Sequence, residues 1–248
     1  MIVLKSDREI AMMREAGRVV AEALDEVEKA IVPGVTTARL NQLVEDIMLR
    51  RGARPAFKGY RGYPASICTS INNEVVHGIP GLKTLSDGDI ISIDIGAEIN
   101  GYYGDAARTF PVGSVDEVSA RLIKVTAECL EKGILQCVLN GHLTDISFAI
   151  QSHAEENGFS VVKEFVGHGI GRAMHEEPQL PNFGRPGRGP RLTPGLVLAI
   201  EPMVNTGGSL TQVLADNWTV VTKDGGRSAH FEHTVAVTEN GPEILTRL

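Results

Sequence analysis

Cysteine is scarce in this sequence, with three among 248 residues. Cys129 and Cys137 fall in one helical stretch, too far apart along it to bridge easily, and the odd count leaves no disulfide framework. Long apolar runs are missing too: none approaches the ~18 residues that a membrane span needs. The N-terminal stretch MIVLKSDREIAMMREAGR sets Lys5, Asp7, Arg8 and Glu9 where a secretory signal would need an unbroken apolar segment. These absences predict a cytoplasmic protein with no membrane attachment. Positive charge is also short, 24 basic against 31 acidic residues for a formal charge of −7, which argues against nucleic acid as a specific or main ligand.

What is present is ordinary globular composition, 42% hydrophobic and 22% charged, in a length that suits one α/β unit. Residues 6–30 carry apolar positions at helical spacing behind Ser6, with Glu9 three residues on, the pattern of a capping box. Thr37 to Arg51 predicts a second helix closed by Gly52. A Gly- and Pro-rich stretch, 52–64, precedes β-branched runs. Asp89 to Ile99 and Gly101 to Phe110 flank Asn100-Gly101, a strong hairpin signal. Helical pattern returns over Val115 to Leu139 and Leu143 to Asn157. Strands resume at Leu196 to Val204, Trp218 to Thr222 and His230 to Thr238.

The order helix, helix, strand pair thus occurs twice, and residues repeat with it. Leu85 to Asp94 aligns without a gap on Leu192 to Glu201, each copy ending on a carboxylate. His-Gly-Ile recurs at His77 and at His168. A duplication is predicted, with halves of about 1–113 and 114–248 folded around one cleft in a single catalytic domain.

The acids of these segments carry the chemistry. If Asn100 and Gly101 form the turn, Ile99 pairs with Tyr102, Asp94 lies opposite Ala107, and Asp105 is one diagonal step away on the same face. Two buried anions so placed repel each other unless a cation lies between them. Glu201 and Glu232 likewise interrupt apolar strands. His168 sits in the glycine-rich segment VGHGIGRAMH with His175, and His77 lies beside similar signals. No role is assigned to His142, His153, His230 or His233. Four carboxylates and one imidazole without a thiolate suit divalent Mn, Fe, Co or Zn in an open site, and four anionic ligands match two such ions.

Taken together, NNEVVHGIP, IDIG followed by GYYGDAARTF, GHGIGRAMHEEP, IEPM and FEHTV resemble the type I methionine aminopeptidases of the bacterial kind, from about Ser6 to the end. The resemblance implies an α+β pita-bread fold, two pseudo-symmetric halves whose central antiparallel-rich sheet is covered by helices. It implies removal of the initiator methionine of nascent polypeptides when the next residue is small. It also implies that Asp105 and Glu232 bridge two metals, that Asp94 completes one site, and that His168 with Glu201 completes the other. His77 is implied to contact the substrate backbone, His175 to stabilise the tetrahedral intermediate, and Glu201 to act in proton transfer. Phe57, Tyr60, Tyr63, Cys68, Met174 and Trp218 would line the methionine pocket.

Two alternatives share the fold. One is a proline-specific peptidase, although those usually carry a large extra N-terminal domain. The other is a non-catalytic binding module, although those have typically lost metal ligands. A monomer is expected, and Gly184 to Arg191, with three arginines, is a solvated loop that could touch the ribosome transiently.

Overall fold

The computed structural model describes residues 1–248. Helices α1 (Asp7–Glu28) and α2 (Thr37–Arg50) precede strands β1 (Arg54–Pro55), β2 (Cys68–Ile71), β3 (Glu74–Val76), β4 (Ile90–Ile99) and β5 (Tyr102–Pro111). Helices α3 (Glu117–Leu135) and α4 (Leu143–Glu156) follow, then β6 (Ser160–Val161), β7 (Gly167–Gly169), β8 (Glu176–Leu180) and β9 (Val197–Ile200). The chain ends with β10 (Met203–Asn205), β11 (Thr211–Val213), β12 (Val220–Thr222), β13 (Ser228–His230), β14 (His233–Thr238) and β15 (Gly241–Ile244). All strand pairing is antiparallel, so the architecture is the expected α+β one.

Local chemistry sets the helix ends. Ser6 Oγ accepts the Glu9 N–H at 3.4 Å while the Glu9 carboxylate accepts the Ser6 N–H at 3.0 Å, the reciprocal capping that the sequence predicts. Helix α3 is shorter than the predicted Val115 to Leu139. Asp116 spends its carboxylate as the cap, accepting the Ser119 N–H at 2.8 Å, so helical backbone begins only after it. At the other end Asn140 adopts a left-handed φ of 65°, and the Leu192 N–H donates to the Gly141 carbonyl at 2.8 Å, which turns the chain away. Cys137 therefore lies beyond α3 rather than on it, and all three cysteines are free and buried.

Each helix pair covers a sheet. Val20, Leu24, Leu40, Val44 and Met48 of α1 and α2 pack on Ile91, Ile93 and Ile95 of β4, and Leu122, Cys129, Ile146 and Ile150 of α3 and α4 pack on Leu198, Ile200, Val235 and Val237. Burying a Leu, Ile or Val side chain contributes about 1.5–3 kcal/mol. Helix α1 also touches β5 and the C-terminal segment closely. A Cβ on Gly17 would stand 2.2 Å from the Leu245 carbonyl oxygen, so the helix fits there only because that position is glycine.

The hairpin register is the predicted one: Ile99 faces Tyr102, Asp94 faces Ala107 and Gly96 faces Asp105. Asn100 and Gly101 both have positive φ, 53° and 81°, as a two-residue type I′ turn requires. Alternation then turns Ile91, Ile93 and Ile95 toward the helices and Ser92, Asp94 and Gly96 toward the cleft.

Two predicted strands are broken. Leu196 to Val204 divides at Glu201-Pro202, since proline has no N–H to donate, and His230 to Thr238 divides at Phe231-Glu232. Glu232 instead pairs with the first sheet, donating its N–H to the Ala107 carbonyl at 2.8 Å. The predicted strand Trp218 to Thr222 starts only at Val220. The two His-Gly-Ile segments also occupy different places. His168 lies opposite Ala199, two residues before Glu201, whereas the residue opposite Ser92, two before Asp94, is Ser70. His77 follows β3, in another sheet.

Candidate metal centre and substrate pocket

Where the sheets meet, a cavity of about 150 Å³ is lined by Asp94, Asp105, His168, Glu201 and Glu232 together with His77, His175, Phe57, Tyr60, Tyr63, Cys68 and Trp218. Each acid arrives on a different support. Asp94 and Asp105 stand on β4 and β5; Glu201 and Glu232 stand at the strand breaks; His168 stands on β7. Ligand atoms of Asp105, His168 and Glu232 lie within 4.8 Å of one another, and His168 Nε2 is 3.5 Å from Glu201 Oε1.

The polar atoms here lack partners. Asp94 Oδ1, Asp105 Oδ1, Glu232 Oε1 and His230 Nε2 are buried without a hydrogen bond. Buried polar groups left in that state are costly, so their convergence fits a bound cation. Burial pushes the Asp94 carboxyl up to about 7. Burial, then neighbouring carboxylates, push Asp105, Glu201 and Glu232 well above the usual carboxylate range. The imidazoles shift the other way. Burial lowers His168 and His230 to about 3 and His77 to about 4, so all three are neutral at pH 7. His168 Nδ1 is 2.9 Å from the Gly169 carbonyl, which can only accept, so Nδ1 carries the proton and the Nε2 lone pair points into the space among the acids, where a cation could accept it.

The side chains beside the acids divide into two groups. His175 stacks on Tyr60, ring centroids 5.3 Å apart, with its Nδ1 2.9 Å from the Tyr60 hydroxyl. His77 holds a left-handed φ of 61°, rare for a non-glycine residue, and its ring meets the edges of Trp218 and Phe165. Phe57, Tyr63, Cys68 and Met174 form a buried apolar cluster with Tyr60 and Trp218 against it. Gly96 opens that space, because a Cβ there would lie 2.8 Å from Phe57 and 2.9 Å from Met174. Burial and the nearby Asp94 keep the Cys68 thiol protonated, so it is a packing group and no nucleophile.

Sequence reasoning passed over three contributors. His230, 2% exposed, has Nε2 3.7 Å from Glu201 and 3.9 Å from Glu232; its place two residues before Glu232 was the available signal. Thr234 Oγ1 accepts the Asp105 N–H at 3.0 Å and donates to the Asp105 carbonyl at 2.8 Å, which only the fold reveals. Arg61 lines the cavity, its guanidinium over Tyr60. The Gly184 to Arg191 loop is exposed, yet its backbone is tied to α4: the Gly187 N–H donates to Asp145 at 2.7 Å and the Arg188 N–H to Thr144 at 2.9 Å.

Comparison with known proteins places this geometry. The model of metallopeptidase family M24 matches residues 11–239. The chain is 57% identical over 247 residues to the methionine aminopeptidase of Clostridium acetobutylicum, covering 99% of each chain. It is 55% identical to methionine aminopeptidase 1 of Bacillus subtilis, over the whole of both. The crystal structure of the methionine aminopeptidase of Thermotoga maritima superposes with a TM-score of 0.99 at 50% identity, each chain covered completely. With a family match across most of its length and an acid-lined cavity suited to cations, the chain belongs to metallopeptidase family M24.

Proposed function

We propose that this chain is a methionine aminopeptidase that hydrolyses the first peptide bond of a polypeptide beginning with methionine and a small second residue. The observation that carries the reading is one cavity shared by unpartnered acids and an apolar, sulfur-containing pocket. Full-length identity above 50% to proteins of that name supports methionine over proline specificity.

Asp105 and Glu232 would hold two divalent cations in common, with Asp94 completing one site and His168 and Glu201 the other. Mn, Fe, Co or Zn suits these oxygen and nitrogen donors. Once bound, such ions supply positive charge that polarises an amide carbonyl and lowers the pKa of water. The chain's own groups do the rest. Phe57, Tyr63, Cys68, Met174 and Trp218 grip the thioether, whose soft, flexible shape suits an apolar wall. Neutral His77 binds the substrate backbone. His175, oriented by Tyr60, donates to the carbonyl oxygen as its charge grows. Glu201 takes the proton of the attacking water and returns it to the departing amine.

We further propose a single catalytic unit of two related halves, about 1–113 and 114–248, acting as a cytoplasmic monomer on nascent chains. No helix is long and apolar enough to cross a membrane. The exposed Arg185, Arg188 and Arg191 would make the transient ribosome contact.

The test is release of methionine by chelated enzyme re-supplied with Mn, Fe, Co or Zn. Met-Ala-Ser should be cut, Met-Lys-Ser should resist, and Ala-Pro peptides should be inert. Equal turnover of the two methionyl peptides would sink the specificity.

A further inference from the structure

The segment before α1 is fastened to β8, to the approach to β9 and to the α3 and α4 core. Ile2 packs against the α3 and α4 core, while Met1, Val3 and Leu4 face outward. Lys5 turns inward, and its backbone N–H donates to the Gly195 carbonyl at 2.7 Å. Its ammonium donates to the Val3 carbonyl at 2.7 Å and meets Glu176 Oε2 at 2.5 Å. The two side chains are only 3% and 14% exposed. Desolvating such a pair is costly enough that stability alone is a poor reason for it.

The other oxygen of the same carboxylate supplies a reason. Glu176 Oε1 accepts the N–H of Arg172 at 2.8 Å and of Ala173 at 3.2 Å, closing residues 172–176 into a turn. That turn places Met174 in the apolar cluster and His175 against Tyr60. The His175 side chain makes one hydrogen bond, to Tyr60, and packs on the His168 ring with centroids 4.2 Å apart, so the turn that carries its backbone sets how the ring meets both. The path of the lysine is built for close passage: a Cβ on Gly171 would lie 2.3 Å from Lys5 Cε and 2.8 Å from Nζ.

We propose that Lys5 is a positioning residue for the peptidase reaction: through Glu176 it fixes the 172–176 turn so that His175 points at the substrate carbonyl. The proposal rests on the role given to His175 above. Small misplacements of a reacting group are expensive in rate, up to about a hundredfold for 1 Å.

The experiment compares Lys5→Met, Glu176→Gln, His175→Ala and the double variant Lys5→Met/His175→Ala, each metal-loaded, with Met-Ala-Ser. Lys5→Met should lower kcat about tenfold or more, with KM and metal content within about twofold of the parent. Glu176→Gln keeps an oxygen for the two N–H groups but loses the charge, and should match it. In the His175→Ala background, Lys5→Met should cost nothing further, because the group it positions is gone. A further loss of similar size in that background assigns Lys5 to general structure and overturns the proposal. So does unchanged kcat in Lys5→Met while His175→Ala is impaired. Full activity of His175→Ala would overturn the reading of the site and this proposal with it. If Lys5→Met fails to fold, Glu176→Gln alone and with His175→Ala supplies the same two comparisons.

Discussion

Between Ile90 and Pro111, β4 and β5 run in unbroken register and place Asp94 and Asp105 by alternation alone. Between Val197 and Thr238 the corresponding pairing is interrupted at both acids, Glu201 and Glu232. The shorter side chain stands on continuous backbone, and the longer one stands where the backbone departs from its ladder. The difference shows how the second support is held. Glu232 bonds back to Ala107, and Thr234 grips the backbone of Asp105, so the interrupted pair is docked on the continuous one.

The comparison breaks most severely at Asp105. Asp105→Ala removes an acid from the continuous pair that faces all the others, and it should abolish tight binding of both cations, with a loss of activity beyond the 10- to 100-fold typical of outer partners of metal ligands. Asp94→Ala should weaken one cation mainly. Calorimetric metal titration separates them, and two tight sites retained in Asp105→Ala would refute the shared role.

Removing the metals should reveal the repulsion between the two supports. In the metal-free protein the Asp94 carboxyl titrates near 7 against an ordinary 3.8, and its three acid neighbours are raised too. Below about pH 6.5 the buried histidines, neutral in the folded state, oppose the carboxyl effect by favouring folding as pH rises. Above it they are neutral in both states, while the folded protein still holds carboxyl protons that the unfolded chain has released, so stability falls as pH rises further, by an amount on the order of a few kcal/mol. Chelated protein should melt at a lower temperature at pH 8 than at pH 6.5, and metal should restore more stability at pH 8. A metal-free melting temperature that climbs over this range would contradict the buried-acid account.

A smaller effect is expected at the link between the supports. Thr234→Val leaves the Asp105 N–H and carbonyl without their side-chain partner, which should cost about 1–3 kcal/mol and lower Tm by roughly 2–4 °C per kcal/mol. Scanning calorimetry measures it. No change would mean that the docking rests on Glu232 and Ala107 alone.

Much of the first support was legible in the sequence, because a two-residue Asn-Gly turn leaves one register and alternation then assigns faces. The helices were legible from their apolar spacing, although α3 begins only after its Asp116 cap and stops at Leu135, short of Leu139, where apolar spacing carries no signal for either end. The second support was not, since sequence periodicity shows that Leu196 to Val204 is apolar but says nothing of which sheet it pairs with. His230 was missed for the same reason. Lys5 could not be found at all by pattern, because its partner lies 171 residues away in the chain.

The two-residue turn at Asn100-Gly101 makes the chain length between Asp94 and Asp105 a ruler. One residue added to either strand would rotate one carboxylate into the Ile-rich core, and two would slide it past its partner by a full pair. Substitutions along this hairpin can be tolerated wherever face and size are kept, whereas insertions and deletions cannot. For this stretch, evolutionary drift is confined to spelling and denied to length.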